Sequence, residues 1–119
     1  MAVLLVAVGG AVGSVLRYWI GLLVAGWLGT AFPWGTLLIN VGGSFVIGWM
    51  ASATPPDTAG LRLLVMVGFC GGFTTFSSFS LQTLELMQRG DWIGAWGNVL
   101  GSVLLCLGAV TAGWALGRA

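Results

Sequence analysis

The chain has 119 residues, 58% hydrophobic and 6% charged, with a formal net charge of +1 and a mean hydropathy of +1.03. A soluble domain carries about 25% charged residues to coat its surface, and the seven ionisable side chains here, four basic and three acidic, cannot do so. A near-neutral chain without lysine offers no polyanion-binding surface, so nucleic acid is excluded as a partner, and the absence of histidine removes the usual general base and the commonest metal ligand.

One all-α integral membrane domain over residues 1–119 is therefore expected, built from four apolar stretches. The first covers residues 2–28. It lacks the basic start of a signal peptide, and Arg17 interrupts its apolar run. Arginine keeps its charge in proteins, so Arg17 either snorkels to the interface or stands as a fixed positive charge at the mouth of an anion route. The second stretch, residues 33–53, carries Thr36, Asn40 and Ser44 at intervals of four, a spacing that stacks them on one helical face. Asn40 is its most polar member, with two donors and an acceptor. Thr54-Pro55-Pro56-Asp57-Thr58 ends that helix, because proline lacks the N–H that would continue it.

The third stretch, residues 61–87, is the most informative. As one helix it would measure about 40 Å, longer than the roughly 30 Å hydrocarbon core. Gly71 and Gly72 weaken it, and five hydroxyl residues follow between Thr74 and Ser80. A break near residues 71–75, at mid-membrane, is expected. Non-helical backbone survives at that depth only where protein or an ion satisfies it, and in transporters such breaks present carbonyls to cations. Phe76 and Phe79 follow at helical spacing, and the positive edges of their rings suit a small anion. Gln88-Arg89-Gly90-Asp91 closes the segment. The fourth stretch, residues 92–116, repeats the polar stripe with Asn98, Ser102 and Cys106. Each polar residue has a plain structural reading as a hydrogen bond between helices; two stripes beside a break fit a hydrogen-bonding track better.

Twenty-one glycines exceed the usual frequency of about 7%. The pairs Gly9/Gly13, Gly68/Gly72, Gly97/Gly101 and Gly113/Gly117 allow close backbone approach, either within one subunit or across a dimer. Arg62 and Arg118 fall on the side of both termini and Arg89 on the other. So weak a bias permits insertion in both orientations and an antiparallel homodimer, the two-copy equivalent of an inverted repeat. Trp27, Trp34 and Trp92 sit where indoles anchor to the interface. Cys70 and Cys106 lie in apolar runs and indicate neither a disulfide framework nor a zinc site.

Three segments together resemble the Fluc/CrcB family of fluoride channels: Gly9-Gly10-Ala11-Val12-Gly13-Ser14-Val15-Leu16-Arg17-Tyr18, Gly35-Thr36-Leu37-Leu38-Ile39-Asn40-Val41-Gly42-Gly43-Ser44-Phe45, and Gly68-Phe69-Cys70-Gly71-Gly72-Phe73-Thr74-Thr75-Phe76-Ser77-Ser78-Phe79. The resemblance implies a dual-topology antiparallel homodimer in the bacterial inner membrane, with two pores that export fluoride passively and lower its cytoplasmic level. It implies an ion pathway along Asn40, Thr75, Phe76, Phe79 and Ser102 with Arg17, and a structural sodium ion at the dimer interface held by backbone carbonyls of Gly71 and Thr74. No organic cofactor is implied. Gln82, Asn98 and Cys106 depart from the family's pattern, at positions where glutamate, tyrosine and a hydroxyl are common.

The alternative is a small multidrug transporter, also four helices in an inverted dimer. Proton-coupled cation export needs a membrane carboxylate, and the nearest one, Glu85, stands near the end of the third stretch. A scaffold subunit would leave the break and stripes unexplained. An enzyme has no nucleophile and base to work with. Neither a GxxxxGK[ST] loop nor a carboxylate relay is present, so passive flow is the expected mode.

Overall fold

The computed structural model describes residues 1–119. Helix α1 spans Ala2–Leu28 and α2 spans Trp34–Ala53. A third helix, α3, is a continuous run of Ala59–Arg62, Leu63–Cys70 and Gly71–Phe73, its middle portion wound in the wider π manner. Helix α4 covers Phe76–Gln88 and α5 covers Trp92–Gly117. With α3 and α4 taken as one span, four spans are long and apolar enough to cross a membrane. Only 16 of 119 residues are buried, so most of the apolar surface can be sheltered only by lipid or by another protein chain.

Local chemistry sets the ends. Gly29, at φ 77° and ψ −173°, supplies the positive-φ turn that ends α1, and Gly90, at φ 78°, supplies another between α4 and α5. Extended Thr54 before the two prolines stops α2. The carboxylate of Asp91 accepts from the Gly94 N–H at 2.8 Å and caps α5.

Two glycine seams organise the bundle. Along α1, a Cβ on Gly9 would strike the Leu64 carbonyl and one on Gly13 the Phe69 carbonyl. From the facing side, Gly72 leaves no room between itself and the Gly10 backbone. Contacts advance together along both helices, so α1 and α3 run parallel. Helices α2 and α5 are joined the same way: Gly48 meets the Val110 carbonyl, Gly113 that of Phe45, and Gly117 that of Trp49. Of the four glycine pairs, three thus serve packing within the chain. Gly97 and Gly101 have nothing within 4 Å.

The interruption of the third span is narrower than the expected 71–75. Gly71 and Gly72 remain helical, and only Thr74 (φ −82°, ψ 155°) and Thr75 (φ −149°, ψ 115°) are extended. Gly72 serves close approach to α1, not helix breaking. Thr74 directs both its N–H (3.0 Å) and its hydroxyl (2.8 Å) to the Cys70 carbonyl. The hydroxyl at Thr75 accepts from the Ser78 N–H at 3.2 Å and starts α4 anew. Termination by hydroxyl side chains is what fixes the site of the break.

Candidate functional site

The break is held by a side chain from another helix. Asn40, on α2, donates its Nδ2–H to the Thr75 carbonyl at 3.1 Å and accepts the Thr75 N–H on Oδ1 at 2.8 Å. An amide side chain thus satisfies both backbone groups of a residue that has left the helix, the service a neighbouring strand would give. On the α1 side, Arg17 donates Nε–H to the Gly72 carbonyl at 3.1 Å. Several carbonyls stay available around the break, Gly71 O and Thr74 O among them. Thr74 O accepts no hydrogen bond within the chain, and Gly71 O loses its helical partner because the Thr75 N–H goes to Asn40.

Beside the break lies a cavity of about 370 Å³. Helix α2 contributes Asn40, Gly43, Ser44 and Ile47, and α3 contributes Met66, Cys70 and Gly71. Thr74 and Thr75 form its floor with Phe76 and Phe79 of α4, while Ser102, Val103 and Cys106 of α5 close it. Neither a carboxylate nor a cationic side chain stands on the wall. The Phe76 and Phe79 rings lie 5.3 Å apart at 42°, and Phe76 is 78% exposed, so one of the two faces out of the chain.

Proton counting identifies the donors open to a guest. Asn40 carries two protons on Nδ2 and uses one on Thr75. Ser44 lines the cavity without a hydrogen-bond partner in the chain. Thr75 accepts on its hydroxyl oxygen from Ser78, so its own O–H proton is free to turn to Ser77 or into the cavity. Ser102 differs. Its hydroxyl donates to Asn98 Oδ1 at 3.3 Å, Asn98 donates to Thr83 Oγ1 at 2.9 Å, and Thr83 donates to the Phe79 carbonyl at 2.7 Å. This relay ties the α5 wall to the turn that carries Phe79.

The structure therefore brings together Asn40, Thr75, Phe76, Phe79 and Ser102 on one cavity, with Gly71 and Thr74 beside them. Arg17 is absent from that wall and lies on the α1–α3 seam. The two polar stripes divide. On α2, Asn40 and Ser44 face this cavity, whereas Thr36 lines a second one, of about 480 Å³, with Gln82, Glu85 and Arg89. On α5, Ser102 and Cys106 reach the cavity, while Asn98 is 2% exposed and acts as an interhelical clasp. Sequence reasoning did not single out Thr83, although it follows Phe79 by four residues, the spacing that lets a hydroxyl bond back to that carbonyl. Ser44, which the spacing had placed on the polar stripe of Asn40, joins the cavity although the family-implied pathway did not include it.

The family profile of the CrcB-like protein, Camphor Resistance (CrcB), matches residues 4–114. A protein of Rhodospirillum rubrum named fluoride-specific ion channel FluC is 54% identical over 118 residues, covering 95% of this chain and 92% of its own length. Another of that name from Opitutus terrae is 56% identical over 115 residues, covering 92% and 87%. A third, from Magnetococcus marinus, is 49% identical over 121 residues and covers 99% and 98%.

Proposed function

The chain belongs to the CrcB-like protein family, and on that premise we propose that it is a fluoride-selective ion channel that lets fluoride leave the cell passively, down its electrochemical gradient. It is a multi-pass membrane protein and not an enzyme. The observation that carries the reading is the doubled Asn40–Thr75 hydrogen bond beside the uncharged cavity.

Fluoride is small and strongly hydrated, so a selective pathway must replace its water with directed donors. The spare Asn40 N–H, the Ser44 hydroxyl and the Thr75 hydroxyl supply these, and the ring edges of Phe76 and Phe79 add positive potential. None is a full charge. Binding can thus be favourable enough for entry and weak enough for exit. Arg17 acts from behind the break: one hydrogen bond ties it to Gly72, and its charge raises the potential of the region an anion must enter.

Helical runs of similar length on either side of the break support a position near mid-membrane. We assign the functional unit as an antiparallel homodimer in the bacterial inner membrane with two pores. Supporting this are the weak arginine asymmetry, the 78% exposed Phe76 beside the cavity and the glycines of α5 left without neighbours. The donor set at the break fits a hard monovalent cation, since Thr74 O and Gly71 O are free of the hydrogen bonds a helix would give them. Paired carbonyls from two copies would hold sodium there, and the ion would supply a positive charge that locks the two breaks together.

Fluoride efflux from proteoliposomes, measured against chloride, tests the function. Fluoride flux with little chloride flux is expected; equal or absent fluoride flux overturns the proposal. Within that assay, Phe79→Ile or Phe76→Ile should lower flux by about tenfold, the equivalent of about 1.4 kcal/mol, with the dimer still assembled. Wild-type flux in both variants would remove the ring-edge mechanism while leaving the channel in place.

A further inference from the structure

At the end of the bundle where α2 and α5 finish, a third cavity of about 410 Å³ gathers two of the four arginines, Arg62 and Arg118. Trp114, Ser52 and Thr54 share the wall, and no carboxylate does. Arg62 is fixed by one guanidinium nitrogen: Nη1 donates to Thr54 O at 3.0 Å, to Thr54 Oγ1 at 3.0 Å and to Ala51 O at 3.5 Å. Its Nε and Nη2 protons have no partner in the chain. Arg118, at the C-cap of α5, is exposed and donates to nothing.

Two helix C-termini end here, each contributing roughly half a negative charge, and both arginines keep guanidinium protons that no group in the chain accepts. Asp57, in the loop between α2 and α3, is exposed and off the cavity wall. The opposite end of the bundle differs, because Arg89 shares its cavity with Glu85 and donates to the Ala31 carbonyl at 2.9 Å. Guanidinium matches a phosphate fork bidentately, and a 46% exposed indole such as Trp114 prefers the headgroup layer. Four apolar spans put this cavity at headgroup depth.

We propose that the Arg62–Arg118 cavity is a binding site for the phosphodiester headgroup of an anionic membrane lipid. Arg62, held in place by α2, presents its free edge; Arg118 closes over the phosphate; Trp114 lies against the glycerol and upper chain region. The site is independent of the ion pathway, which contains neither arginine.

The test is lipid retention by the detergent-extracted protein, read by native mass spectrometry after incubation with equal amounts of phosphatidylglycerol and phosphatidylcholine. Wild type should retain the anionic lipid preferentially. Arg118→Gln should cut that preference about fivefold, as expected for one arginine at an anionic surface, while Arg118→Lys should keep part of it. Equal retention of the two lipids by wild type, or an unchanged preference in Arg118→Gln, would overturn the proposal. Loss of the bound lipid to millimolar inorganic phosphate would also overturn it, by showing that the site takes a soluble anion. Fluoride flux of Arg118→Gln reports on folding separately, and wild-type flux with lost lipid preference is the expected pair of results.

Discussion

The two halves of the third span are held by opposite means. Helix α3 lies against α1 backbone to backbone, with Gly9, Gly13, Gly68 and Gly72 leaving no room for a side chain between them. Helix α4 is fastened by side chains reaching across gaps: Asn40 at its start, the Asn98–Thr83 bond midway, and Arg89 to Ala31 at its end. A glycine seam cannot adjust without moving two backbones, whereas an amide or hydroxyl clasp can lengthen or rotate. The first half is scaffold. The second, which carries Phe76 and Phe79, is held by groups that can shift, as the proposed fluoride pathway would require.

The contrast is open to attack at several points, beginning where failure should be most complete. Gly13→Leu places its side chain on the Phe69 backbone; overpacking ordinarily costs about 1–3 kcal/mol, and here neither backbone can yield, so loss of monodisperse protein on size-exclusion chromatography is expected. Gly97→Ala is the matched control, having open space around it, and should leave the subunit folded. Normal yield of Gly13→Leu would mean that the α1–α3 seam is not rigid.

Asn40→Leu should come next. Two hydrogen bonds to Thr75 vanish, each worth about 0.6–2 kcal/mol between membrane helices, and the spare donor disappears with them. Assembled protein with fluoride flux reduced more than about tenfold is the expected outcome. A folded variant with full flux would show that the break needs no support from α2. The smallest effect belongs to Asn98→Leu, which cuts the relay from Ser102 to Phe79 at a cost of about 1 kcal/mol. A modest fall in thermal stability and a flux change of a few fold should result, and a collapse as severe as that of Gly13→Leu would erase the distinction between scaffold and adjustable wall.

Much of this architecture was legible in the residues. Seven charges in 119 residues name the solvent, Pro55–Pro56 and Gly90 separate the spans, and the hydroxyl run after Gly72 announces a break. The local rule misread one detail. Glycine's weak helix propensity placed the break's start at Gly71, but propensity is a small term beside close packing against α1, so both glycines stayed helical and the threonines ended the run. Asn98 illustrates another limit: spacing of four puts it on the face of Ser102, yet that face turns partly toward Thr83 and only partly toward the cavity.

By itself, then, the sequence determined the environment, the count and order of the spans, and which polar groups would need partners, because each of these follows from hydropathy and backbone chemistry along one chain. Tertiary structure decided the partners: Arg17 with the Gly72 carbonyl, Asn40 with both groups of Thr75, and Arg62 with the end of α2. Helical periodicity fixes the direction in which a side chain leaves its own axis, and only the packing of neighbouring helices fixes what it meets there.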